Sequence, residues 1–410
     1  MEATLRNSTQ ILLNILFAGF LSSSLVAQWE PQPINHSNLK TASILDQSRT
    51  IAAGQNGKMY STTNGGSLWS EVAWPPELVT TGELFRSAHM LDTVTWIFAG
   101  ESFFANREMI YRTTTSGDTM TLVHQGPVGS SINEMIFTND TIGICVGKDG
   151  RILRSQDHGV TWQLVPTVLT GDLLAVVEMN NGDIIAGGAG YIIRSEDSGL
   201  SWSIVYFSSQ RIFVDLQTGD DPGVIFGIDS EADIYQQLIV SVNEGITWTN
   251  VSTPFITGLS LCTIGTDTIF IAGGIGMYAS INGGDTWFNY PEFDDMQVNA
   301  IKFTDDLVGY AVGYGDRIYR MAGSMGSPTP VAYFSPVTFT VCLNEEIHFT
   351  NGSPEGQSYI WYVNGQQVAT TFDLDHTFTT PGQTQVSLEV FGLGDTSIFY
   401  RNFNIPTADP

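Results

Sequence analysis

One phrase recurs along this chain of 410 residues, and it restricts the fold more than anything else in the sequence. Ser155-Gln-Asp157-His-Gly159-Val-Thr161-Trp162 is followed by Ser195-Glu-Asp197-Ser-Gly199-Leu-Ser201-Trp202. Three more copies keep the frame with Asn in place of Asp: Thr62-Thr-Asn64-Gly-Gly66-Ser-Leu-Trp69, Ser241-Val-Asn243-Glu-Gly245-Ile-Thr247-Trp248 and Ser280-Ile-Asn282-Gly-Gly284-Asp-Thr286-Trp287. A sixth, Thr113-Thr-Thr115-Ser-Gly117-Asp-Thr119-Met120, is worn. The framing glycines fall at 66, 117, 159, 199, 245 and 284, in steps of 51, 42, 40, 46 and 39 residues. A period of this length means one supersecondary unit per repeat, stacked on its neighbours to share a core.

Each copy lies between two short β-rich runs, as Arg151-Ile-Leu-Arg154 and Trp162-Gln-Leu-Val165 flank the third. The local reading is strand, turn, strand. Asp or Asn accepts from backbone N–H groups further along the turn, Gly supplies positive φ, and Trp covers the turn with an apolar face. These residues resemble the Asp-box, or BNR repeat, of sialidases, sortilin-type receptors, some glucanases and photosystem II assembly factors. The resemblance implies structural turns away from any catalytic face. The alternative is that Asp157 and Asp197 are acids or metal ligands; six spaced copies favour a scaffold.

The full repeat reads as four strands: Leu173-Leu-Ala-Val-Val177, Asp183-Ile-Ile-Ala186, Tyr191-Ile-Ile-Arg194 and Trp202-Ser-Ile-Val205. Four antiparallel strands per repeat make a propeller blade. Six phrases give six blades. A last repeat, Val298–Phe303, Gly309–Gly313 and Arg317–Arg320, lacks its fourth strand, and Gln28-Trp29-Glu-Pro-Gln-Pro-Ile34 is an orphan strand that would complete it. Pairing the two closes a seven-bladed ring and removes its open edges. Residues 28–323 thus resemble the photosystem II assembly factor propellers, as do the Gly-Tyr-Ala-Val-Gly phrases. Residues 324–330 read as a Gly/Ser/Pro linker. Residues 331–406 hold short strands around a central Trp, an immunoglobulin-like sandwich, and resemble the PKD domain of secreted proteins. The expected class is therefore all-β throughout.

Residues 1–27 read as a signal peptide, with Arg6 before an apolar stretch and Leu-Val-Ala27 before the cut; the alternative is an N-terminal anchor. No later segment approaches a membrane span. The expected location is extracellular or periplasmic, on a bacterial cell surface or free. Forty-two Asp plus Glu against 16 Lys plus Arg leave a net charge of −26, which repels nucleic acid. Cys145, Cys262 and Cys342 form no disulfide framework, and Cys145 and Cys262, in predicted inner strands, read as small buried hydrophobes.

Turns rich in Asp, such as Asp92, Asp140 and Asp183, share one face with the repeated phrases. They read as turn chemistry, with weak Ca²⁺ attraction as the sharper alternative; no metal centre or cofactor is expected. Aromatics gather on the opposite face, among them Phe207, Phe293 and Tyr314, with Trp74, Phe103, Phe104, Tyr235 and Tyr290 as candidate ligand anchors. Phe103 and Phe104 occupy one of two expanded turns, 101–108 and 228–236. No catalytic residue is assigned: arginines converging on a carboxylate, a Ser-His-Asp phrase and zinc spacing are all missing. The chain reads as a secreted binding or assembly scaffold for a protein or glycan. The rival is a carbohydrate-active hydrolase, which would need two carboxyls facing each other in a cleft.

Overall fold

The computed structural model describes residues 29–74, 82–230, 236–256, 258–274, 276–290, 293, 296–304, 308–321, 332, 334–335, 343–344, 346–353, 358–391 and 396–406. The expected signal peptide, the linker 324–330, Tyr235 and Cys342 lie outside these residues.

The described chain is built of strands. One sheet illustrates the unit: Ile132–Thr138, Ile142–Gly147, Ile152–Ser155 and Gln163–Val165 form an antiparallel meander in that order. Apolar residues follow one another along the inner strands because both faces of each sheet are covered, and successive side chains point to opposite faces. Ile144 and Val146 pack towards one neighbouring sheet, whereas Cys145 and Leu153 pack towards the other. Other four-stranded meanders run from Glu83–Met90 to Thr121–Val128 and from Gly258–Ile264 to Phe288–Asn289. Two strands are longer than the sequence predicts and serve two sheets each. Ser203–Thr218 pairs through Phe207 with Tyr191 and then through Leu216 with Gly227. No Gly or Pro interrupts it, so the backbone carries on as strand where the sequence reading expects a loop.

Glu30–Ile44 is the second shared strand and closes the set. Glu30, Pro31, Gln32 and Pro33 pair with Arg320, Tyr319, Ile318 and Arg317, and from Leu39 onward the same strand pairs with Thr50–Gly54. The expected pairing of the orphan N-terminal strand beside Arg317–Arg320 is therefore present. Trp29, 3% exposed, anchors it edge-on against Phe270, Tyr290, Phe293 and Phe303. The first strands of successive sheets contact one another in a cycle: Glu30–Ile44, Glu83–Met90, Ile132–Thr138, Leu173–Glu178, Ser203–Thr218, Gly258–Ile264, Val298–Phe303 and back to the start. They surround a central cavity.

Beyond the cycle lies a separate pair of sheets. One contains Phe334–Ser335, Glu346–Asn351 and Leu374–Thr377; the other contains Gln366–Ala369, Ser358–Val363, Gly382–Phe391 and Thr396–Ile405. Their facing sides bury a core of their own around Trp361, Phe349, Phe334 and Leu388.

Candidate functional site

The repeated phrases fold as turns closed by their own side chains. Ser155 Oγ donates to Asp157 Oδ1 (2.8 Å) and accepts from Gly159 N (3.0 Å). Asp157 accepts from Thr161 N (2.9 Å) and Thr161 Oγ1 (2.6 Å). The Ser195, Asp197, Gly199 and Ser201 copy repeats every bond. Where Asn243 and Asn282 replace Asp, their amide donates to Thr247 and Thr286 instead. Asn64 accepts from Thr62 Oγ1 and Leu68 N, but its amide finds no hydroxyl at the Thr position, which Leu68 occupies. Even the worn copy closes, through Thr115 and Thr119. Gly159 and Gly199 have φ of 74° and 83°, and a Cβ there would lie 2.3 Å from Ile97 and Ile144 of a neighbouring sheet. Trp162, Trp248 and Trp287 each donate Nε1 to the glycine carbonyl of their turn; Trp69 is buried and Trp202 packs at the edge of the core. Asp197 is held down at about 2, chiefly by the Ser201 hydroxyl and backbone bonds. Its oxygens are committed to the turn.

Arginines that the sequence places at strand ends also serve these turns. Arg112 Nε and Arg154 Nε donate to the carbonyls of His158 and Ser198, each in the next sheet's phrase. They are consumed between sheets and do not converge on a substrate.

Backbone bonds define two faces. The phrases touch the turns between first and second strands, as His158 N bonds Thr141 O. The turns between second and third strands touch the entries to the first strands, as Phe103 N bonds Gly82 O and Tyr314 N bonds Gln297 O. On this second face Phe103 and Phe104 are 78% and 71% exposed and pack edge-to-face on each other. Phe207 and Tyr314 are also exposed. Two expected anchors are corrected. Trp74 is half-buried, stacks on Phe85 and donates to Gly57 O (2.7 Å), so it caps a sheet core. Tyr290 is 5% exposed beside Trp29 and Phe270, and Phe293 is fully buried with it. The phrase face exposes aliphatics, Leu68, Leu200 and Ile246, in addition to its polar turns.

The sequence reading did not pick out the residues that line the central cavity, which measures about 510 Å³. Every first strand has an irregularity at the same point, skipping Lys40, Arg86, Asn133, Leu174, Val214, Leu259 and Asn299. A bulge re-aims the extra residue, and all seven line the cavity. The residue after the bulge joins neighbouring first strands. Ser87 Oγ accepts from Met135 N, Glu134 Oε2 from Val176 N, Asp215 Oδ2 from Leu261 N and Ser260 Oγ from Ile301 N. Ala175 has no oxygen to offer at this position, and Leu216 N is met by Asp215 Oδ1 (2.8 Å).

Glu134 and Asp215 also line the cavity with Lys302 and His89. Burial first, and then the Asp215 charge, push Glu134 up to about 8. Burial raises Asp215 too, against Lys302 and its backbone donors. Burial works against the Lys302 ammonium, but the two carboxyls outweigh it. Burial lowers His89 to about 4, leaving it neutral at pH 7. Among the described residues no group of three or more His, Cys, Asp or Glu is placed to hold a metal ion.

No family model matches the chain, and no curated protein matches it by sequence. Solved structures do resemble it. "YCF48 bound to D1 peptide" matches with a TM-score of 0.58 at 16% identity, covering 73% of this chain and all of that one. YCF48 from Cyanidioschyzon merolae matches at 0.57 and 19% identity, over 72% and 99%. The GH74 enzyme of Niastella koreensis matches at 0.57 and 14% identity, over 88% of this chain and 66% of that one. The fold is a β-propeller. At these identities the likeness speaks for the propeller architecture alone, which hosts unrelated chemistries.

Proposed function

We propose that this protein is a secreted, non-catalytic binding or assembly scaffold. In this reading a seven-bladed propeller of Asp-box turns is followed by a PKD-like sandwich, and a protein or glycan partner is captured on the face opposite the boxes. The observation that carries the proposal is the Phe103–Phe104 pair: two rings on an expanded turn, both largely in water and packed on each other. Exposed aromatics supply large contact area at low entropy cost. Support for a polypeptide partner comes from the similar propeller named as bound to a peptide. The test is a screen of the intact chain against peptide and glycan arrays, repeated with Phe103→Ser/Phe104→Ser. The double variant should keep its melting temperature and lose capture. Capture unchanged in the variant would overturn the assignment of the face.

The rival hydrolase reading has one observation in its favour, the carboxyl pair Glu134 and Asp215 inside the cavity. Their bonding weighs against it. Both Asp215 oxygens and one Glu134 oxygen are held by backbone N–H groups at the positions where Ser87 and Ser260 do the same joining task. A general acid or nucleophile needs an oxygen free for substrate. Release of reducing sugar from soluble glucans that disappears in Glu134→Gln would favour the hydrolase.

A further inference from the structure

The seven bulge residues are sorted by chemistry around the cavity. Following the cycle of first strands, Asn299, Lys40, Arg86 and Asn133 occupy one arc, and Leu174, Val214 and Leu259 occupy the rest. Equivalent positions in a repeat array that served only closure would have no reason to separate in this way. Leu259 is 39% exposed although it lies within the ring of strands, so the cavity presents it to solvent.

The charge of the lining runs against that of the chain. The protein carries −26 and has only four lysines, Lys40, Lys58, Lys148 and Lys302. Two of them line the cavity with Arg86, against Glu134 and Asp215. Those carboxyls sit beside Lys302 and bond backbone N–H groups. Lys40 and Arg86 stand on adjacent first strands. Burial, and then the Arg86 charge, lower the Lys40 pKa, so the two cations repel each other without full relief. The surroundings hold them ready. Asn299 Oδ1 accepts from Lys40 Nζ (3.2 Å), while its amide is fixed by Leu39 O (2.7 Å) and Asn38 Oδ1 (2.9 Å). Asn133 is fixed by Leu173 O. An ammonium has three donors, and this bond uses one of them. Arg86 bonds Glu101 through one Nη (2.8 Å).

We propose that the central cavity binds a carboxylate that bears a short branched aliphatic group. Lys40 and Arg86 hold the head by charge-assisted bonds, and Leu174, Val214 and Leu259 cover the tail. The cavity has room for a group of this size. A free aliphatic acid and the C-terminal carboxylate of a peptide ending in Leu or Val share this chemistry. The site uses other residues than the Phe103–Phe104 face, so either assignment can fail while the other stands.

The test is calorimetric titration of the intact chain with 4-methylpentanoate and with its primary amide. Parallel titrations use a pentapeptide ending in Leu as free acid and as C-terminal amide. The acids should bind at least roughly tenfold tighter than the amides, with affinity falling as salt rises. Preference for the peptide acid over 4-methylpentanoate would support the peptide terminus as the natural ligand; the reverse would support a free acid. Lys40→Met should weaken acid binding by roughly tenfold at an unchanged melting temperature. Leu259→Ser should weaken 4-methylpentanoate but not acetate. Glu101→Gln, which releases Arg86 from its partner, should tighten binding. Equal affinity for acid and amide, no binding at millimolar concentration, or an acid affinity unmoved by Lys40→Met at intact stability would each overturn the proposal.

Discussion

Glu134→Gln should convert a pH-dependent stability into a flatter one. An ordinary glutamate releases its proton near 4.5, whereas burial and Asp215 hold Glu134 up to about 8. Between these values the unfolded chain has lost the proton and the folded chain keeps it. The folded state then binds more protons, so stability falls as pH rises through this window. Taken alone, the displacement corresponds to roughly 5 kcal/mol at about 1.4 kcal/mol per pH unit. Asp215 and Lys302 redistribute charge as Glu134 ionises, which reduces the expected difference to about 2 kcal/mol. Gln has nearly the same volume, and its amide oxygen can still accept from Val176 N, so the bond between first strands survives. At pH 5 the variant should match the wild type. At pH 8.5 it should be more stable by about 2 kcal/mol, which raises the melting midpoint by roughly 4 °C. His89 works in the opposite sense. Its lowered pKa of about 4 adds stability that is present above pH 6.5 and lost as pH falls. The readout is therefore the difference between the two proteins in paired urea or calorimetric melts at pH 5, 6.5 and 8.5. Parallel pH profiles, or a variant less stable at pH 8.5, would refute the reasoning.

Other outcomes test the scaffold. Asp157→Ala and Asp197→Ala each remove the side-chain acceptors of a turn and should cost about 1–2 kcal/mol, read as a lower melting midpoint, while partner affinity per folded molecule stays unchanged. Glu108 has no exposed side-chain surface and takes two bonds from Arg151 (2.8 and 2.6 Å) and one from His124 (2.9 Å). Glu108→Ala should cost about 3–5 kcal/mol by stranding the arginine, and adding Arg151→Met should recover part of the loss in urea melts. Trp29→Ala should cost about 3–5 kcal/mol and make the amides of Glu30 and Gln32, the residues of this segment that carry an N–H, the first backbone amides of their sheet to exchange with solvent. Exchange that begins elsewhere would show that closure does not depend on this ring.

The repeat was legible because its turns are local. A hydroxyl, an Asx and a glycine within five residues close each phrase with their own atoms, so their chemistry can be read from spacing alone. The strand pairing of Glu30 to Pro33 with Arg317 to Arg320 was legible for a related reason: a repeat short of one strand implies a strand to spare. Exposure was not. Phe103 and Tyr290 are both aromatics in loops of the same face, yet Phe103 projects into water and Tyr290 fills the space beside Trp29. The partner that buries Tyr290 lies at the far end of the chain, and sequence offers no measure of that proximity. The bulge residues had a faint signal, since each stands at a corresponding point of its repeat. What Lys40, Arg86, Leu174 and Leu259 have in common is decided only when seven first strands meet around one cavity. Glu134, Asp215 and Lys302 lie far apart in the sequence, and each would be an ordinary solvated charge by itself. The cycle of first strands places them together and out of water, and desolvation with mutual attraction and repulsion then sets their protonation. Local hydrogen bonding is written in adjacent residues; shared burial belongs to the closed ring.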